Sequence, residues 1–283
     1  MEDKHAGSKL RSSRVDFASI AGLVVAFGGI VGGLVLEGGR ISDIAQITAA
    51  IIVLAGTLGA VMVTSPMSAL VDAAKGLKDV FIEEKIEPTT AIDEIITYAT
   101  KARKNSIISL EENLDDVEDD FLRKALSLAV DGVDLRQLRE MMEMEILQQE
   151  HHQERAAKVF ESAGSCAPTI GIIGAVLGLI QVMKHLENID EVGRGIAVAF
   201  VATVYGVAAS NLFLLPSANK LKSRAKQDTA ARELLLEGVC SMVEGMNPKL
   251  IRVKLEAFVE HPAKETKKAA AAPAGAEAVS ASG

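Results

Sequence analysis

Thr203 stands in a stretch, 195–215, that carries no Asp, Glu, Lys, Arg or His. A threonine hydroxyl in such surroundings can hydrogen-bond a carboxylate or give one oxygen to a cation stripped of water. The stretch 166–183 is equally free of charge. A span that moved an ion unaided would need a titratable group of its own. If these stretches conduct an ion, the carboxylate must therefore come from a second subunit whose helix lies against them. Other chemistry is hard to find. His151 and His152 sit side by side in His-His-Gln-Glu, without the i, i+4 spacing that puts two imidazoles on one helix face for zinc. No Gly-x-x-x-x-Gly-Lys-Ser/Thr loop is present to cradle nucleotide phosphates. The sequence reads as a chain with no enzyme constellation, no metal site and no cofactor.

The elements that must position Thr203 are four apolar stretches, 17–36, 44–63, 166–183 and 195–215. Each comes close to the roughly 20 residues a helix needs to cross a bilayer core. Backbone groups in lipid must be satisfied internally, and the stretches are too long and too weakly alternating for barrel strands, so they read as transmembrane helices. Gly171, Gly174 and Gly178 lie within the third, where glycine's use is close approach of another helix. In the fourth, Ala202, Gly206 and Ser210 recur every four residues, with Thr203 and Val207 on a neighbouring face. That smooth stripe suits packing against a helix of this chain or of another, and spacing alone does not choose.

Lysine and arginine set the orientation. Lys9, Arg11 and Arg14 precede the first span, Lys75 and Lys78 follow the second, Arg155 and Lys158 precede the third, and Lys220, Lys222, Arg224 and Lys226 follow the fourth. The opposite connections hold only Arg40, Lys184 and Arg194 among basic residues. By the positive-inside rule both termini and the middle segment are cytoplasmic. The first span is expected to stay uncleaved, because it is long, has no A-x-A signature after it and is followed at once by a second span. Cys166 and Cys240 fall on or near the cytoplasmic side, where thiols stay reduced.

The fold class is an all-α membrane protein with six divisions: a cytoplasmic N-terminus (1–16), transmembrane helices 1 and 2 (17–63), a cytoplasmic helical domain (64–165), transmembrane helices 3 and 4 (166–215), cytoplasmic C-terminal helices (216–261) and a disordered Ala-rich tail (262–283). Within the middle region, Pro66 opens an amphipathic helix that Pro88 closes. Ser109 and Glu112 have capping-box spacing for a helix start. The absence of Gly and Pro between Asp134 and Gly164 predicts one long helix leading into the third span. Net charge is −8, and seven of the ten residues from Glu111 to Asp120 are acidic. Such density argues against nucleic acid as a partner, and leaves a solvated face or a surface for a partner of complementary charge.

The run Ala167-Pro168-Thr169-Ile170-Gly171-Ile172-Ile173-Gly174-Ala175-Val176-Leu177-Gly178-Leu179, paired with Ala202-Thr203-Val204-Tyr205-Gly206 and with Asn211-Leu212-Phe213 before Pro216, resembles the MotA/PomA stator subunits of the bacterial flagellar motor, within the MotA/TolQ/ExbB proton-channel family. Lys101-Ala102-Arg103-Lys104-Asn105-Ser106-Ile107-Ile108-Ser109-Leu110-Glu111-Glu112 looks like the family's torque-generating segment. The resemblance extends over about 17–258.

What the resemblance implies is an inner-membrane protein that converts ion flow into torque. A homo-oligomeric ring, a pentamer in the family, surrounds a dimer of a MotB-like subunit that carries the ion-binding aspartate. It implies an ion pathway past Thr203, Ala175, Thr169 and Tyr205, a contact of Arg103 and Glu111 with a FliG-like rotor protein, and coupling of ion flow to movement through Pro168 and Pro216. Sodium-driven members tend to carry Thr where this chain has Ala175, so the transported ion is expected to be H⁺. The alternatives are a sodium-driven PomA-like stator, a TolQ/ExbB-like energiser of envelope processes, and a helical scaffold without transport.

Overall fold

A computed structural model describes residues 10–260 of the chain. The tail expected to be disordered, and most of the N-terminal segment, lie outside those residues. The first element is a short strand, β1 (Arg11–Val15). Helix α1 (Phe17–Leu36) has the bounds expected of the first span. A single helical turn, α2 (Ile41–Ile44), precedes α3 (Ile47–Thr64), and α4 (Met67–Phe81) follows. Next come β2 (Ile82–Ile86), α5 (Pro88–Asn105), a 3₁₀ segment (Ile107–Asp116) and α6 (Asp120–Val130). Helix α7 (Leu135–Lys184) is the predicted long helix, continuous into the third span. Helix α8 (Ile189–Ala208) passes through a π-helical turn (Ala209–Leu214) into α9 (Leu215–Val243), and α10 is Pro248–Glu260. Among the described residues, four helices are long and apolar enough to cross a membrane.

The chain divides into two compact units. One takes in 11–85 and 145–229, and so holds the four apolar spans. Its core is built where α3, α4, α7 and α9 meet, from Val61, Ala69, Ala73, Val80, Ala157, Phe160, Ala218 and Leu221, with a smaller cluster of Ala49, Val53, Val201 and Ala202 between α3 and α8. The other holds 86–144 and the segment from Ala230 onward. Ile92 and Ile95 of α5, Leu122 and Leu126 of α6, Leu138 and Met142 of α7, Leu235 of α9 and Ile251 and Leu255 of α10 are buried in it. Pro88 begins α5 because a first-turn residue has no helical use for its missing N–H. Asp119 caps α6, its carboxylate accepting from Leu122 N at 3.0 Å.

Two local expectations are corrected. Strands β1 and β2 pair as a two-stranded sheet in an otherwise helical fold, so the amphipathic helix opened at Pro66 stops at Phe81 and the chain runs extended before Pro88. Ser109 does not start a helix. It lies inside the 3₁₀ segment, where its hydroxyl donates to Ser106 O at 2.7 Å instead of accepting from backbone amides. The competing local bond, always open to serine, prevails.

Candidate functional site: the paired helices α7 and α8

Glycines bring the third and fourth spans to backbone contact. A methyl group on Gly206 would stand 2.5 Å from Ala167 O, one on Gly171 2.9 Å from Ala202 O, and one on Gly178 2.8 Å from both Ala199 N and Gly195 O. No larger residue fits any of the three positions, so the small-residue stripe of α8 is occupied by α7 of the same chain. That resolves the alternative the spacing left open. Helix α3 closes one flank, with Ala49 and Val53 packed on Val201 and Ala202. On α7 the side chains of Ile172, Ile173, Val176, Leu177 and Ile180 remain exposed.

The hydroxyls of this pair are held in defined roles. Thr203 Oγ1 donates to Ala199 O at 3.2 Å, and Thr169 Oγ1 donates to Cys166 O at 2.7 Å. With each hydrogen committed to its own helix, the oxygen lone pairs are what each hydroxyl offers to a neighbour. They are acceptors, suited to a cation or to a protonated carboxylic acid. Thr203 and Ala175 are half-buried and Thr169 is exposed. Tyr205 faces elsewhere, donating its phenolic hydrogen to Ile44 O at 2.5 Å and accepting from Gln46 N at 3.4 Å. Its hydroxyl thereby satisfies backbone groups at the break between α2 and α3.

Both prolines lie within continuous helical structure. Pro168 is inside α7 and has no N–H for the carbonyl of Gly164, four residues back. Ser210, buried on the π turn, donates its hydroxyl to that Gly164 O at 2.6 Å. Pro216 likewise cannot donate to Leu212 O, and the helix before it widens: Leu215 N–H reaches to Ser210 O, five residues back.

Arg103 and Glu111 belong to the other compact unit. They flank the turn between α5 and the 3₁₀ segment, both exposed, with no ion-pair partner among the described residues. Lys101 Nζ donates to Asn113 Oδ1 across the same turn and ties its two arms together.

One polar centre had no local signal in the sequence. The Asp16 carboxylate, nearly buried at the start of α1, accepts from Ser19 N at 3.1 Å, from Ser19 Oγ at 3.2 Å, from Arg224 Nη2 at 3.0 Å and from Lys220. Arg224 also donates to Ile82 O at 2.7 Å, and Asp16 N donates to Phe81 O at 2.9 Å. The hydrogen bond and charge of Lys220, aided by Ser19, outweigh burial and hold this carboxyl well below the usual range. The first span is thus fastened at one end to α4, β2 and α9.

Among the described residues, four apolar helices, two of them packed backbone to backbone without a charged side chain over 166–183 and 195–215, define a polytopic membrane protein. The chain belongs to the MotA/TolQ/ExbB proton channel family: that family's model matches residues 113–234, and the model of the motility protein A N-terminal region matches 20–105. Motility protein A of Bacillus subtilis is 37% identical over 89% of this chain and 93% of its own length. Among solved structures, that of C. jejuni MotAB is similar with a TM-score of 0.83 at 30% identity, covering 88% of this chain and 98% of that one. The flagellar MotAB stator complex from Bacillus subtilis gives 0.81 at 36% identity, covering 90% and 100%. The chain is a flagellar motor stator subunit.

Proposed function

We propose that this subunit assembles as a ring around a MotB-like partner in the inner membrane, with both termini cytoplasmic, and that protons drive it. The observation that carries the reading is the α7–α8 pair. It presents threonine oxygens as acceptors and no Asp, Glu, Lys, Arg or His over 166–183 and 195–215, so the proton-binding carboxylate comes from the partner. A proton neutralises that carboxylate, and the ring steps to the next. One charge falling through 100 mV releases about 2.3 kcal/mol, ample for such a step. Helix α1, which has no buried residue within this chain, is left to lipid or to neighbouring copies. Resemblance to the family supports a pentamer, and a contact of exposed Arg103 and Glu111 with a FliG-like rotor protein. Ala175 provides no second hydroxyl on α7, and one oxygen fewer disfavours a dehydrated sodium ion.

The test is co-expression with a MotB-like subunit in a swimmer lacking its own stators, varying external sodium and the proton gradient separately. Motility that survives sodium removal and dies with the proton gradient is expected. Motility that follows sodium instead would overturn the proton reading.

A further inference from the structure

Three hydroxyl or amide side chains on the paired spans bond to carbonyls of their own helix: Thr169 to Cys166, Thr203 to Ala199 and Asn211 to Val207. Ser210 does not. Its hydroxyl crosses from the π turn to Gly164 O on α7, the carbonyl to which Pro168 can donate nothing. At the same time its own carbonyl accepts from Leu215 N–H, the residue before Pro216. A single buried residue is therefore bonded to the defect that one proline makes and to the widened turn before the other. Space around the bond is tight, since a methyl on Gly164 would stand 2.6 Å from Leu215 Cδ2. A carbonyl left bare in such a place finds no water and carries the full desolvation penalty.

We propose that Ser210 is a positioning residue for torque generation: it replaces the backbone bond that Pro168 removes and thereby joins the bends of the third and fourth spans into one unit. Without it each proline bends its helix independently, and movement started at the ion path reaches α9 weakened. The idea rests on the stator reading for its functional half only. The hydrogen-bond half stands on geometry and is tested separately.

The experiment is a double-mutant cycle on the full chain purified with its MotB-like partner. Pro168→Ala restores an N–H that can donate to Gly164 O, so Ser210→Ala should lower the thermal midpoint by several degrees in the wild-type background and by less than half as much beside Pro168→Ala. Equal shifts in both backgrounds would overturn the proposal. In cells, Ser210→Ala should assemble at wild-type level yet lose at least half of the stall torque of tethered cells. Unchanged torque would reduce the bond to a purely structural one and also overturn it. Should Ser210→Ala not accumulate, Ser210→Cys, similar in volume with a far weaker donor, is read the same way. Failure of the wild-type pair to support motility would sink the stator reading but leave the thermal cycle intact.

Discussion

Ser106 has φ +72° and ψ 156°, a backbone region that glycine alone enters freely. It sits at the turn between Arg103 and Glu111, so strain is stored where the rotor contact is proposed. Relief of that strain is worth about 1–3 kcal/mol, against roughly 0.5–1 kcal/mol of added chain entropy for glycine. Ser106→Gly should thus raise stability by about 1 kcal/mol, read as a higher thermal midpoint, whereas Ser106→Ala keeps the strain and should give no gain. Glu94 offers a second test at this scale. Burial, and then the charges of Asp119 and Glu118, push its carboxyl above the ordinary glutamate value, although Tyr98 donates to it at 3.2 Å. A raised folded pKa means the folded chain holds this proton more tightly than the unfolded one. The stability it brings is present below the unfolded value of about 4.3 and is lost as pH rises through the folded one. Glu94→Gln should therefore stabilise at pH 7, with the gain vanishing near pH 4 in melting curves recorded across that range.

Helices α7 and α8 hold together through backbone proximity, so the element scale is where one added carbon matters most. Gly206→Val places its branch against Ala167 O and should separate the pair, costing about 1–3 kcal/mol or more and abolishing motility. Normal swimming with this variant would show that the contact is dispensable. Much at this scale is legible in sequence, because lipid leaves helices as the solution for an apolar run of the right length, and α1 follows its run to the residue. The 50-residue α7 was legible for a similar reason: helix breakers are absent before Gly164. Pro168 did not end it, because buried apolar packing and the Ser210 hydroxyl compensate for the missing bond. The failures are short. Strand β2 is Ile-Glu-Glu-Lys-Ile, too brief for its alternation to register beside the preceding helix pattern. Ser109 had the spacing of a cap, and only the conformation of Ser106 showed that its hydroxyl was committed elsewhere. At the site, the glycines and Thr203 could be singled out from the sequence, but the partner of each hydroxyl could not.

Across the whole molecule, α1 depends on attachments that lie far away in sequence. No residue of it is buried within the chain, so its length is open to lipid or to neighbouring copies while the Asp16 cluster fastens its end. Asp16 and Arg224 are 208 residues apart, which is why no local pattern marks their pairing. In consequence the helix that continues the fourth span past Pro216 also carries the anchor of the first. Asp16→Asn keeps the bulk and the cap but leaves Lys220 and Arg224 facing a neutral group. Losing charge-assisted hydrogen bonds should cost about 2 kcal/mol or more. The sign with pH is the reverse of Glu94. A depressed folded pKa gives stability that is complete above the unfolded value of about 3.9 and is lost as pH falls below it. The wild-type assembly should therefore lose thermal stability below about pH 4, while Asp16→Asn is less stable at pH 7 and shows a smaller further loss on acidification. Parallel acid profiles for the two proteins would show that this carboxylate does not fasten α1.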